Sequence, residues 1–241
     1  PPAVIGNSVE NVTIPGTLNG NVKVDFDNQF WGWDINLRRK WACGPRYWLD
    51  GTFGYKQMGL TDSISITENL TRNPGNPVTE NHILIQDSFR TSNYFYGIQL
   101  GVEGEWRFAR RWSLGGNFKM AMGPIHQVVR IAGVHAEDNP ANLIDPNSSL
   151  YTSPANQGEH NRNRFAFVPE IGVKLNWDIT SHVRLYAGYN FIYISDVVRA
   201  GSEIDTRNIS PFGVLGNRAG AGVPSVLFNS TYFYARIITR Q

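Results

Sequence analysis

Apolar side chains recur at every second position through three repeated stretches of this chain. In the second strand of each repeat one face reads Tyr47, Leu49, Gly51, Phe53, Tyr55, then Trp112, Leu114, Gly116, Phe118, Met120, then Val183, Leu185, Ala187, Tyr189, Phe191, Tyr193. The opposite face reads Asp50, Thr52, Gly54, Lys56, then Ser113, Gly115, Asn117, Lys119, then Arg184, Tyr186, Gly188, Asn190. Successive side chains of a strand point to opposite sides of a sheet, so the alternation predicts strands with one apolar and one polar face. The preceding strands alternate alike. Trp31, Trp33, Ile35, Leu37, then Tyr96, Ile98, Leu100, Val102, then Phe167, Ile171, Val173, Leu175 stand against Asp34, Asn36, Arg38, Lys40, then Gln99, Glu103, Glu105, then Glu170, Lys174, Asn176.

Each repeat is a hairpin closed by a short turn and followed by a long polar segment, roughly residues 61–86, 136–163 and 200–228. Short turns at one end and long loops at the other are the outer-membrane arrangement, with turns toward the periplasm. Five tryptophans, Trp41, Trp48, Trp106, Trp112 and Trp177, stand at the mouths of the turns, where a membrane interface selects amphipathic rings. The expected fold is therefore all-β: an antiparallel transmembrane β-barrel, an up-and-down meander with short periplasmic turns and long extracellular loops. Its hairpins are expected at about 28–60, 90–135 and 163–200 within a barrel domain over 27–241, after an N-terminal loop or extension over 1–26. A last strand over about 230–240 brings the count to seven, an odd number where single-chain bacterial barrels have even ones. Either a strand lies within residues 8–26 or strands precede Pro1.

Composition narrows the function. No stretch approaches the eighteen or so apolar residues of a spanning helix, and no basic and apolar leader opens the chain. Cys43, the only cysteine, excludes an internal disulfide framework and a thiolate zinc site. A net charge of +2 without a basic run argues against a nucleic-acid partner. The five histidines (His82, His126, His135, His160, His182) show no metal-ligand spacing. Loop carboxylates at Glu137, Asp138, Asp145 and Glu203 to Asp205 form no recognised calcium loop. No nucleophile elbow or acid/base dyad stands out, so neither an enzyme nor a bound cofactor is expected.

Several runs carry a family resemblance. They are Asn93 to Trp106, His126-Gln127-Val128-Val129, Arg164 to Gly172, Leu185 to Phe191 and Ser195 to Asp205, the block from Arg164 to Asp205 being the most specific. They resemble the planctomycete outer-membrane proteins grouped as the beta barrel porin 7 family. The resemblance implies a porin or porin-like protein in a bacterial outer membrane, and a chain that is the C-terminal portion of a longer barrel. The chain departs from that pattern by ending Thr239-Arg240-Gln241 instead of on a terminal aromatic.

On this reading the lumen would be lined by Asp34, Arg38, Lys40, Lys56, Glu103, Glu105, Lys119, Glu170, Lys174 and Arg184, and would pass small hydrophilic solutes. If those charges pair and fill the interior, the barrel is closed and acts as a structural anchor or surface-interaction protein. Expected partners are membrane lipid and, by analogy with other porins, further copies in a trimer or other cell-surface proteins.

Overall fold

The structure is a computed structural model and describes residues 12–76, 80–138, 149–152, 156–204 and 226–237. Seven antiparallel strands follow one another as neighbours in one sheet: β1 (Leu18–Cys43), β2 (Tyr47–Arg72), β3 (Asn81–Arg107), β4 (Trp112–Glu137), β5 (Gly158–Asp178), β6 (Val183–Ile194) and β7 (Val226–Ile237). A single 3-10 turn, Ala200–Ser202, follows β6. Consecutive strands pair as the hairpins β1–β2, β3–β4 and β5–β6. Thr61 to Arg72, expected in a polar loop, continues β2 against Asn81 to Ser92 of β3. Val22 to Phe26 lies within β1, paired to Ile64 to Glu68.

The expectation of a closed transmembrane barrel is corrected. The sheet runs from β1 to β7 and no ladder joins those two strands among the described residues, so it is open. Strand parity gives the reason. With seven consecutive antiparallel strands β1 and β7 point the same way, and an all-antiparallel meander closes on itself only with an even count. Both functional readings built on closure fall with it. An open sheet encloses no lumen for solute, and it is not a sealed barrel serving as an anchor. The expectation that the chain spans the membrane as a barrel rested on that closure and is withdrawn with it. No helix among the described residues is long and apolar enough to cross a membrane.

Each long strand changes character along its length. In the half near the turns, apolar side chains cover one face, here the outer face, and charged ones the inner. In the half near the loops the phase is reversed. Met58, Leu60, Phe89, Phe95, Ile125, Val129 and Ile131 turn inward and are buried, while Thr61, Ser63, Ser65, Ser88 and Ser92 alternate with them on the outside.

From β2 to β5 that inner apolar zone is covered by the chain itself, whereas Val24 and Phe26 on the same face of β1 stay 62% and 61% exposed. Pairing of β5 with β6 stops at Glu170, beside Pro169, which has no N–H to give a ladder. Beyond Ile194 the chain leaves the sheet and crosses its inner face as a strap, Ser195 to Ile204. Val197, Val198 and Ala200 have no exposed surface. Val197 joins Met58, Leu60, Phe95, Ala121, Ile125, Ala166 and Val168, and Val198 joins Phe89, Val129 and Ile131.

Candidate functional site

Two surfaces of the turn half carry the residues that the sequence singled out. On the inner face, nine of the ten charged residues expected there fall into four groups of ion pairs, built because antiparallel register sets even positions of β1, β2, β5 and β6 beside odd positions of β3 and β4. Asp34 of β1 accepts from Lys119 Nζ of β4 at 2.9 Å and from Gln99 Nε2 of β3 at 3.0 Å. Arg38 pairs with Glu103 at 2.7 Å, and Lys174 reaches the same carboxylate at 3.7 Å. Arg184 pairs with Glu105 at 3.4 Å and with Asp178 at 2.5 Å. Lys56 of β2 pairs with Glu170 of β5, both buried, and Asn190 Nδ2 donates to the other Glu170 oxygen at 3.2 Å. This pair spans two intervening strands. Lys40 stands opposite Asp50 in the register, exposed and without an ion pair among the described residues.

Breaking a buried pair by removing one partner leaves an uncompensated charge and costs about 3–5 kcal/mol. The Lys56–Glu170 pair therefore ties β2 to β5, and the interleaved signs of the whole face cancel any single-sign field along most of its length. Among the described residues no group of three His, Cys, Asp or Glu side chains is placed to hold a metal ion. Asp145 and Asp205 lie outside the described residues.

The outer face of the turn half is an uncovered apolar belt. Leu37 is 74% exposed, Ile35 67%, Phe53 52% and Ile98 51%, with Leu100, Phe118, Ile171 and Val173 beside them on neighbouring strands. Such a patch exceeds what a monomer leaves against water without a partner surface. Glycines shape the belt. The Trp31 indole lies over Gly59 and the Trp41 indole over Gly51, where a Cβ would overlap the ring.

Of the five turn-mouth tryptophans, four edge this belt. Trp112 and Trp177, directly paired between β4 and β5, stack with centroids 5.5 Å apart and planes 8° from parallel. Trp106 contacts Phe108 at 5.9 Å, and Trp41 covers Gly51. Trp48 differs. It shares the inner face with Asp50 and Thr52, and the Arg38 guanidinium sits 5.7 Å from its ring centroid. Its even number in β2 carries that signal in the sequence, since Tyr47 and Leu49 are the apolar-face residues.

The strap is the part of the site that sequence reasoning missed. The Asn93 side chain donates to Val198 O and accepts from Val198 N, both at 2.8 Å. Arg199 pairs with buried Asp62, which also accepts from Asn28. Gln127 Nε2 donates to the Asp196 carbonyl at 3.2 Å and to its carboxylate at 3.3 Å. Deeper in the loop half, burial pushes the Asp87 carboxyl above the usual carboxylate range, partly offset by hydrogen bonds from Ser149, Thr152 and the Tyr151 backbone.

The model of the family described as "Putative beta barrel porin-7 (BBP7)" matches residues 5–239. The chain belongs to this family. Membership in a porin-type family gives the protein a non-catalytic transport or structural role and makes it an outer-membrane-associated type of protein. No curated protein and no solved structure matches the chain.

Proposed function

We propose that the protein acts at the bacterial outer membrane as an open, lipid-contacting sheet, with the apolar belt of its turn half against acyl chains and its charged face turned away from them. The observation that carries this reading is the belt itself: adjacent strands expose Ile35, Leu37, Phe53, Ile98 and Ile171 on one face. Tryptophans at the turn end of the belt (Trp41, Trp106, Trp112 and Trp177) mark the headgroup level. The charges Asp34, Arg38, Lys40, Lys56, Glu103, Glu105, Lys119, Glu170, Lys174 and Arg184 then serve as the polar backing of the sheet, largely neutralised by mutual pairing.

The β1 edge sets a condition on this role. Its outward backbone groups over the turn half have no ladder partner among the described residues, and unsatisfied backbone groups are not tolerated in hydrocarbon. A strand from a second polypeptide, another copy of the chain or a different cell-surface protein, satisfies them at the membrane.

The test is reconstitution into vesicles with brominated acyl chains. Contact predicts strong quenching of tryptophan fluorescence compared with unbrominated vesicles, and Ile98→Arg should weaken both quenching and vesicle association. Equal fluorescence in the two lipids would sink the reading. Native mass spectrometry from the same vesicles identifies the edge partner: a multiple of 27.1 kDa means further copies, and an added foreign mass means another protein.

A further inference from the structure

At its turn end the charged face closes in a cavity of about 440 Å³ between the β3–β4 turn and the β5–β6 turn. Four arginines line it, Arg107, Arg110, Arg111 and Arg184, against one acidic residue, Asp178. That carboxylate is already committed. It accepts from Arg184 Nε at 2.5 Å and Nη2 at 3.2 Å, and from Arg107 Nη2 at 3.3 Å. Arg184 also turns toward Glu105.

Arg110 and Arg111 are exposed, and their guanidinium groups make no hydrogen bond or ion pair among the described residues. The walls around them are set. The Thr180 hydroxyl accepts from the His182 and Val183 N–H groups at 3.2 and 3.1 Å, and the Asp178 N–H donates to Arg111 O at 2.8 Å, tying one turn to the other. Elsewhere on this face cations and carboxylates largely pair off. Here cations are in excess, and two of their forks are unspent.

Uncommitted arginines lining one cavity suit a multiply charged oxyanion, because each guanidinium fork can donate two parallel charge-assisted bonds. A single carboxylate would leave much of the positive charge unbalanced, whereas a phosphate dianion offers several acceptor oxygens and more charge. We propose that this cavity binds a phosphate group, with Arg110 and Arg111 as its clamps and with Arg107 and Arg184 held behind them by Asp178. The phosphate is either free in solution or borne on a lipid headgroup. The stacked Trp112 and Trp177 on the outer face of the same strand ends set the second source close by.

The experiment titrates the whole chain in an uncharged detergent with inorganic phosphate, by calorimetry at constant ionic strength. It compares the wild type, the double variant Arg110→Gln with Arg111→Gln, and Arg130→Gln at the loop end as a control. Thermal unfolding of the double variant checks that its fold is kept. The double variant should bind at least about tenfold more weakly, since each charge-assisted bond contributes more than the 1.4 kcal/mol that a tenfold change represents, and the control should bind as the wild type does.

A second arm floats the same proteins with vesicles of phosphatidylcholine alone or mixed with phosphatidylglycerol. Loss of both phosphate binding and the phosphatidylglycerol preference in the double variant makes the headgroup the source. Loss of phosphate binding alone makes the source soluble. Absent or unchanged phosphate binding overturns the site, and in the absence of phosphate binding a lost vesicle preference reports only general attraction of charges. The lipid contact of the belt does not enter this result, so either reading can fail alone.

Discussion

The turn half and the loop half of the same strands bury opposite faces. Phe118 and Phe89 show the contrast. Phe118 of β4 lies on the outer face of the turn half, 43% exposed, while Phe89 of β3 lies on the inner face of the loop half with no exposed surface. Both are strand phenylalanines in an alternating pattern, yet one needs an external apolar surface and the other is covered by the strap. From β2 to β5 the sheet thus carries one apolar surface that the chain covers and another that it leaves uncovered. Which face is apolar at a given level follows from what covers it there.

The sharpest way to break this contrast is the same truncation in both halves. Phe89→Ala removes a fully buried ring and should cost about 4 kcal/mol of stability in detergent, read from denaturant unfolding, while Phe118→Ala should cost much less. Equal losses would mean that the two halves are packed alike. Next in size is the strap's ion pair. Arg199→Met strands the Asp62 carboxylate, 1% exposed, and should cost about 3 kcal/mol; unchanged stability, with unchanged protease sensitivity around Ser195 to Ile204, would mean that the strap is not held there.

Membrane association supplies the third comparison. Ile98→Arg on the outer turn half should weaken vesicle association by about 2 kcal/mol, whereas Ser88→Arg on the outer loop half should leave it unchanged. Similar effects of both would erase the boundary between the halves.

The smallest effect belongs to Asp87. Its folded pKa is raised by burial, so its ionisation opposes folding: relative stability is full below the unfolded value and is lost as pH rises through the folded one. Asp87→Asn should therefore be slightly more stable than the wild type at neutral pH, and this advantage should disappear in acid below the ordinary aspartate pKa of about 3.9. An advantage that persists there would assign the effect to packing.

The turn half was legible in the sequence because its two faces differ in kind. Leu37, Phe53 and Ile98 alternate with Arg38, Thr52 and Gln99, and the antiparallel register keeps like with like. The family was legible from the runs Asn93 to Trp106 and Arg164 to Asp205, matched within residues 5–239. The phase reversal was less visible, although Ser63-Ile64-Ser65-Ile66 carries it. Serine and threonine on the outside read as loop, so β2 was expected to stop near Leu60 instead of at Arg72.

The strap was not legible at all. Val197 and Val198 are short apolar residues after a strand, and their burial depends on Asn93, 105 positions earlier than its partner. Openness was half legible. An odd strand count was apparent, but turn-end tryptophans and segregated loops describe a neighbourhood in a sheet, not whether its two ends meet.

The Asn93 contact with Val198 has a consequence for how the chain tolerates change. A carboxamide carries a donor and an acceptor side by side, so one side chain satisfies both backbone groups of a residue as a neighbouring strand would. The backbone is common to all residues, so on polar grounds position 198 accepts any small apolar side chain that fills the space. Position 93 has no such latitude: aspartate offers no donor, leucine offers neither group, and glutamine carries the amide one bond too far. Variation at the strap should therefore be frequent at the buried valine and rare at the strand residue that grips it.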